Sequence, residues 1–166
     1  MTRTLGASLT PALVERFSQR ALRDRLGLTL PFVTVDRDGR PHPMLLSYLE
    51  VRAYDAGTVG LVIGARSRSA RNLAERHAGT LLVVEPDAIV YVKLSAVDGP
   101  LPVPGGGELE LGYFLLAVEE VLEDAAAAWE GGMRITSALR YAPAPTLDEP
   151  WARATLAALA EPRARA

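Results

Sequence analysis

The stretch Val59-Gly60-Leu61-Val62-Ile63-Gly64-Ala65-Arg66-Ser67-Arg68-Ser69-Ala70-Arg71-Asn72-Leu73-Ala74-Glu75-Arg76-His77 changes period half-way. Its first seven residues form a short apolar run rich in β-branched side chains, the pattern of a buried strand. From Ala70 the period becomes helical, with Ala70, Leu73, Ala74 and His77 at i, i+3, i+4 and i+7 on one face. Ser67 or Ser69 can cap that helix. A strand therefore ends, two serines follow, three arginines crowd round them and a helix opens. A helix start presents unpaired N–H groups and a partial positive charge, to which hydroxyls and guanidiniums add donors. That is the chemistry of an anion site, most naturally for a phosphate. The same residues would also serve as a plain solvated helix start.

Upstream, Leu28 to Asp36 alternates loosely, and Arg37-Asp38-Gly39-Arg40 carries the Asp-Gly pair typical of a hairpin turn. Pro41 to Tyr48 returns as a strand whose prolines at 41 and 43 require an edge or a bulge. Leu49 to Tyr54 shows no clear period. Thr10-Pro11 opens an N-terminal helix expected over about residues 11–26. Downstream, Thr80 to Val84 and Ala88 to Val97 read as strands. In the second, Val90, Val92, Leu94 and Ala96 share one face; Ile89, Tyr91, Lys93, Ser95 and Val97 share the other. Asp98 to Gly107 reads as a proline- and glycine-rich loop, and Glu108 to Glu123 as a long strand. Ala125 to Ala128 suggests a helical turn, Met133 to Tyr141 a further strand, and residues about 148–161 a terminal helix. The expected architecture is one mainly β domain over 1–166: six antiparallel strands closed into a barrel, with peripheral helices.

The composition sets limits on function. The 166 residues suffice for one substantial core, and the net charge of -2 gives no reason to expect a nucleic-acid or anionic-membrane partner. No apolar run is long enough to span a membrane, and Met1 to Ser8 lacks the apolar region of a secretory signal. There is no cysteine, which excludes disulfides, thiolate metal sites and a cysteine nucleophile. These features fit a cytoplasmic protein.

Side-chain machinery for catalysis is sparse. His42 and His77 lack the spacing of a zinc motif. Gly105-Gly106-Gly107 leads into a strand, whereas a phosphate loop leads into a helix. No serine sits in a nucleophile elbow. Glu119 and Glu120 should point to opposite faces of their strand, too far apart in direction to act on one bond. An enzyme built this way would need a bound cofactor to carry its chemistry.

The order of these pieces is similar to a known family. Val35-Asp36-Arg37-Asp38-Gly39-Arg40-Pro41, then Val59 to Leu73, Thr80 to Val84 and Ala88 to Ser95 resemble the pyridoxamine 5'-phosphate oxidase-like split β-barrels that bind flavin mononucleotide (FMN). The resemblance covers roughly residues 28–123. It implies a six-stranded antiparallel split barrel, a homodimer with FMN in a groove between subunits, and a flavin-dependent oxidoreductase acting on a small molecule. It places Ser67, Arg68 and Ser69 around the FMN phosphate. Met44, Leu45, Leu46 and Ser47 would lie along the isoalloxazine ring. Val62 and Ile63 would approach the ribityl chain and phosphate. Met44, Val62-Ile63 and Ser69 stand where true pyridoxamine phosphate oxidases carry arginine, tyrosine–threonine and lysine. The likeness is therefore to a distant branch. Arg66, Arg71 and Lys93 are candidates to replace the missing donors, with Lys93 bordering the cofactor groove or the subunit interface. The alternatives are a module that holds a flavin, another phosphorylated ligand, haem or a deazaflavin without turnover, and a structural dimer without a working site.

Overall fold

In a computed structural model, which describes residues 2–124, 129 and 132–164, these patterns become an antiparallel sheet of eight strands with four helices. The strands are β1 (Thr2–Gly6), β2 (Thr29–Val35), β3 (Pro41–Ser47), β4 (Val51–Ala53), β5 (Thr58–Gly64), β6 (Ala78–Glu85), β7 (Ala88–Val103) and β8 (Leu111–Asp124). The helices are α1 (Pro11–Phe17), α2 (Leu22–Arg25), α3 (Arg68–Arg76) and α4 (Pro150–Ala158). The sheet runs β3-β2-β6-β7-β8-β5-β4, and β1 pairs with β8. Strand β8 is the spine. Its first half pairs with β5 and its second half with β1, while β7 lies along its other edge.

The two terminal strands of this path, β3 and β4, are joined by a short 3-10 turn at Tyr48–Glu50. The sheet therefore curls into a half-open barrel around one core. Leu30, Phe32, Leu46, Ile63, Leu73, Phe114 and Val121 meet there, each at or below 1% exposure. Gly79 permits this packing, because a Cβ there would lie 2.5 Å from the Phe32 ring. A second, smaller core lies under α4, where Val62, Tyr113 and Leu159 pack together. The barrel's corner is pinned by Glu85, which accepts from Arg16 at 2.8 Å, from Arg25 at 3.4 Å and from the Tyr48 hydroxyl.

Several expectations are corrected. There are eight strands where six were expected: β1 and β4 are added, and β1 is held by its ladder to β8. The helix expected over 11–26 is broken in two at Gln19, which has φ 64° and whose amide donates to the carbonyls of Leu49 and Val51 at 3.1 and 3.2 Å. A tertiary tie has replaced helix continuation. The stretch expected as a loop from Asp98 is strand as far as Val103. Beyond Ser95 β7 has no β6 neighbour, so Pro100 and Pro102 are tolerated in this strand, in which Leu101, Pro102 and Val103 lie opposite Tyr113, Gly112 and Leu111 of β8. Met133 to Tyr141 is not a strand; it makes one bridge, Leu28 to Arg140, before the prolines at 143 and 145. The terminal helix is shorter than expected, and the chain after it turns back so that the Arg163 N–H donates to the Tyr113 hydroxyl at 3.1 Å. The turn expected at Ala125 to Ala128 lies outside the described residues.

Glu119 and Glu120 are also corrected. Lys93 pairs with Glu120 and Leu94 with Val118, so Glu119 is the extra residue of a β-bulge. Lys93 bonds Glu120 and Ser95 bonds Glu119, so both carboxylates reach the outer face. There they are occupied by these partners.

Candidate functional site

The strand-to-helix junction forms as its residues dictate. Ser67 is the N-cap, and its hydroxyl accepts from the Ala70 N–H at 3.0 Å. The Arg71 N–H bonds the Ser67 carbonyl at 3.2 Å. Intrahelical bonding starts there, leaving the N–H groups of Arg68 and Ser69 ahead of it. The helix ends at His77 in the left-handed conformation, φ 57°. Ala70 and Leu73 face the core, as their spacing requires.

The opposite face of α3 carries Arg68, Arg71, Asn72 and Glu75, again at i, i+3, i+4 and i+7. This face and the β2–β3 hairpin enclose a pocket of about 250 Å³, completed by Asp36, Arg37 and Asp38. Asn72 holds the two sides together by donating to Thr34 Oγ1 at 3.1 Å and to Asp36 Oδ1 at 2.8 Å. Arg37 is turned onto Glu75 at 3.4 Å, and Asp38 faces Arg40 at 3.3 Å. Arg68 lies 3.8 Å from Asp36. Among the described residues Arg71 makes no ion pair. The pocket thus offers a free guanidinium, a second one loosely held and a helix start, while each of its carboxylates already has a partner. That donor set fits a phosphate.

Of the residues expected at a site, the structure brings Ser67, Arg68 and Arg71 to this junction. Ser69 is beside them but faces inward, at 1% exposure. Val62 and Ile63 are both 1% exposed and lie on opposite faces of β5, Val62 beneath α4 and Ile63 in the main core. Only their backbone could meet a ligand. Met44 and Leu46 turn toward the core and Leu45 turns outward at 47% exposure, whereas Ser47 is 3% exposed, with its hydroxyl bonded to Glu50. Arg66 forks onto Glu110 at 2.6 Å, away from the pocket. Lys93 is also elsewhere, 52% exposed on the outer face of β7, with its ammonium 2.6 Å from Glu120. Asp36, Arg37, Asn72 and Glu75 were not anticipated. The last two were readable from the polar period of α3; the first two come from the hairpin and only tertiary packing brings them in.

No family model and no curated protein matches this chain. Solved structures do. One, from Lactobacillus delbrueckii, is provisionally assigned as a pyridoxamine 5'-phosphate oxidase; it has a TM-score of 0.54 at 17% identity over 72% of this chain and 98% of its own. Another, an FMN-binding protein from Syntrophomonas wolfei, has a TM-score of 0.51 at 12% identity over 70% of this chain and 89% of its own. The fold is a split β-barrel similar to that of these two proteins. At these identities the likeness concerns the split barrel itself, and the chain's own α3 junction must carry any statement about ligands. Among the described residues no helix is long and apolar enough to cross a membrane, and no cluster of metal-ligating side chains is found.

Proposed function

We propose that this split barrel binds FMN, with the phosphate at the start of α3, and works as a flavin-dependent oxidoreductase on a small molecule. The observation that carries the reading is Arg71: a guanidinium without an ion pair among the described residues, facing the pocket beside a serine-capped helix start. A guanidinium binds phosphate through two parallel hydrogen bonds at full charge. Ser67 would contribute its hydroxyl hydrogen, since its oxygen already accepts from Ala70. Arg68 would exchange its loose contact with Asp36 for the phosphate. The fold likeness to a protein described as FMN-binding supports the choice of ligand.

FMN, when bound, supplies hydride and single-electron chemistry. The chain would supply position, with the outward Leu45 and the neighbouring Ser47 of β3 along the ring and the backbone at Val62 and Ile63 near the ribityl chain. A homodimer belongs to the same proposal, with the exposed Leu45, Val97 and Leu139 as apolar surface available for a partner copy. The test is titration of the flavin-free protein with FMN and riboflavin, followed by flavin fluorescence, with light scattering on the same samples. FMN should bind at least tenfold more tightly than riboflavin, and the scattering mass should be that of a dimer. Equal affinity for the two flavins would remove the phosphate site from the proposal. For turnover, photoreduced flavin on the protein should reoxidise faster when its oxidising substrate is added.

A further inference from the structure

A pocket of about 670 Å³ lies where the corner between α1 and α2 meets β4 and α4. It shares no residue with the pocket at α3 or with the β3 residues proposed for the flavin ring. Three guanidiniums line it, those of Arg20, Arg23 and Arg52, together with the apolar Leu147 and Leu156. The corner is built at a conformational cost. Gln19 stands in the left-handed region at φ 64°, which a residue with a side chain seldom adopts, and its amide bonds to the Leu49 and Val51 carbonyls hold it there. That turn stops α1 and brings Arg20 and Arg23 to the same pocket as Arg52 of β4.

The three arginines are not equivalent. Arg20 is paired with Glu15 at 3.3 Å. Arg23 and Arg52 have no ion pair among the described residues. Arg52 is half-buried, and its guanidinium lies 6.0 Å from the centre of the Tyr54 ring. That ring is itself fixed, since the Tyr54 hydroxyl bonds the Tyr113 hydroxyl and the Glu161 carbonyl, each at 3.2 Å. Arg52 is thus held in place by an aromatic face and keeps its donors free. Asp24 is the one carboxylate in the lining. It offsets one of the two guanidiniums that Glu15 leaves uncompensated, so one positive charge remains in excess. A single carboxylate balances that excess, and a guanidinium fork matches its two oxygens. Leu147 and Leu156, both half-buried, give the same ligand an apolar wall.

We infer that this pocket binds a small organic carboxylate with an apolar body, its head group toward Arg23 and Arg52 and its body against Leu147 and Leu156. The inference does not rest on flavin binding, and it can fail or hold without it. The test is titration calorimetry of the full chain with octanoate as the probe. Octanoate should bind saturably, one per chain. Octylammonium, 1-octanol and inorganic phosphate should not bind at the same concentration, since each lacks either the negative charge or the apolar body. Arg52→Gln removes the half-buried charge and should weaken octanoate about tenfold. Arg23→Gln, at an exposed position, should weaken it about threefold. Ala21→Glu adds a carboxylate to the lining, also at an exposed position, and should weaken it by about as much. The melting temperature of each variant shows whether it is folded; if Arg52→Gln is not, the two exposed variants decide. No saturable binding of octanoate, equal binding of octylammonium, octanol or phosphate, or wild-type affinity in the folded variants would overturn the inference.

Discussion

Arg71→Ala isolates the phosphate contact from the fold. Arg71 is exposed on α3 and pairs with no carboxylate among the described residues, so its removal leaves no buried charge behind. Alanine is the best helix former, so the helix itself should not weaken. A guanidinium–phosphate bond contributes about 1.5–3 kcal/mol, and exposure with salt screening places Arg71 in the lower half of that range. The expected loss of FMN affinity is about 10- to 40-fold. Arg68 must give up Asp36 to reach the phosphate, so Arg68→Ala should cost less, about 3- to 10-fold. The assay is flavin fluorescence titration at fixed ionic strength, with urea denaturation of each variant to show an unchanged midpoint. Riboflavin is the control. It lacks the phosphate and should bind wild type and Arg71→Ala equally. If the variant weakens riboflavin as much as FMN, Arg71 acts through the shape of the site and the phosphate assignment fails.

Asp36→Asn should raise FMN affinity about 2- to 5-fold, because it removes a negative charge 3.8 Å from Arg68 while keeping a carbonyl for Asn72; an unchanged or lower affinity in the same titration would speak against a phosphate there. Asn72→Ala removes both Asn72 bonds across the hairpin and should destabilise the fold by about 1–3 kcal/mol in urea. Gly79→Ala drives a methyl group into the fully buried Phe32 ring and should cost about 1–3 kcal/mol by the same measurement. Glu85→Ala strands the buried Arg16, whose remaining carboxylate is the exposed Asp87, and should cost about 3 kcal/mol, the lower end for breaking a buried pair.

What could be read from the residues follows from how local each cause is. The junction at Ser67 depends on a cap, a change of period and an apolar face, all within a dozen residues, and the structure matches it. The hairpin and its edge prolines were readable for the same reason. The bulge at Glu119 was not, because alternation along β8 alone cannot show that Lys93 and Leu94 skip a residue on the opposing strand. The break at Gln19 depends on carbonyls 30 and 32 residues away. The segment around Tyr141 has no period of its own; two backbone bonds, from Thr29 to Leu139 and from Tyr141 to Gly27, place it. With Leu45 and Trp151 it lines a surface pocket of about 520 Å³, which only the folded chain shows.

The edge of β3 limits how a second copy could meet this barrel. Pro41, Pro43, Leu45 and Ser47 have the same parity in the strand, and residues of one parity direct their backbone groups to the same side. The Leu45 carbonyl and the Ser47 N–H both bond groups outside the sheet, Tyr141 and Glu50, so this parity faces outward. Two of the four outward positions are prolines and carry no N–H. A third N–H is taken by Glu50. One outward carbonyl is taken by Tyr141. Only the Leu45 N–H is left as a donor, too little to begin a new ladder. The proposed dimer therefore does not continue its sheet through β3. For the proposed dimer this leaves the outward Leu45 side chain, rather than the strand edge, as the part of β3 that a partner copy could cover.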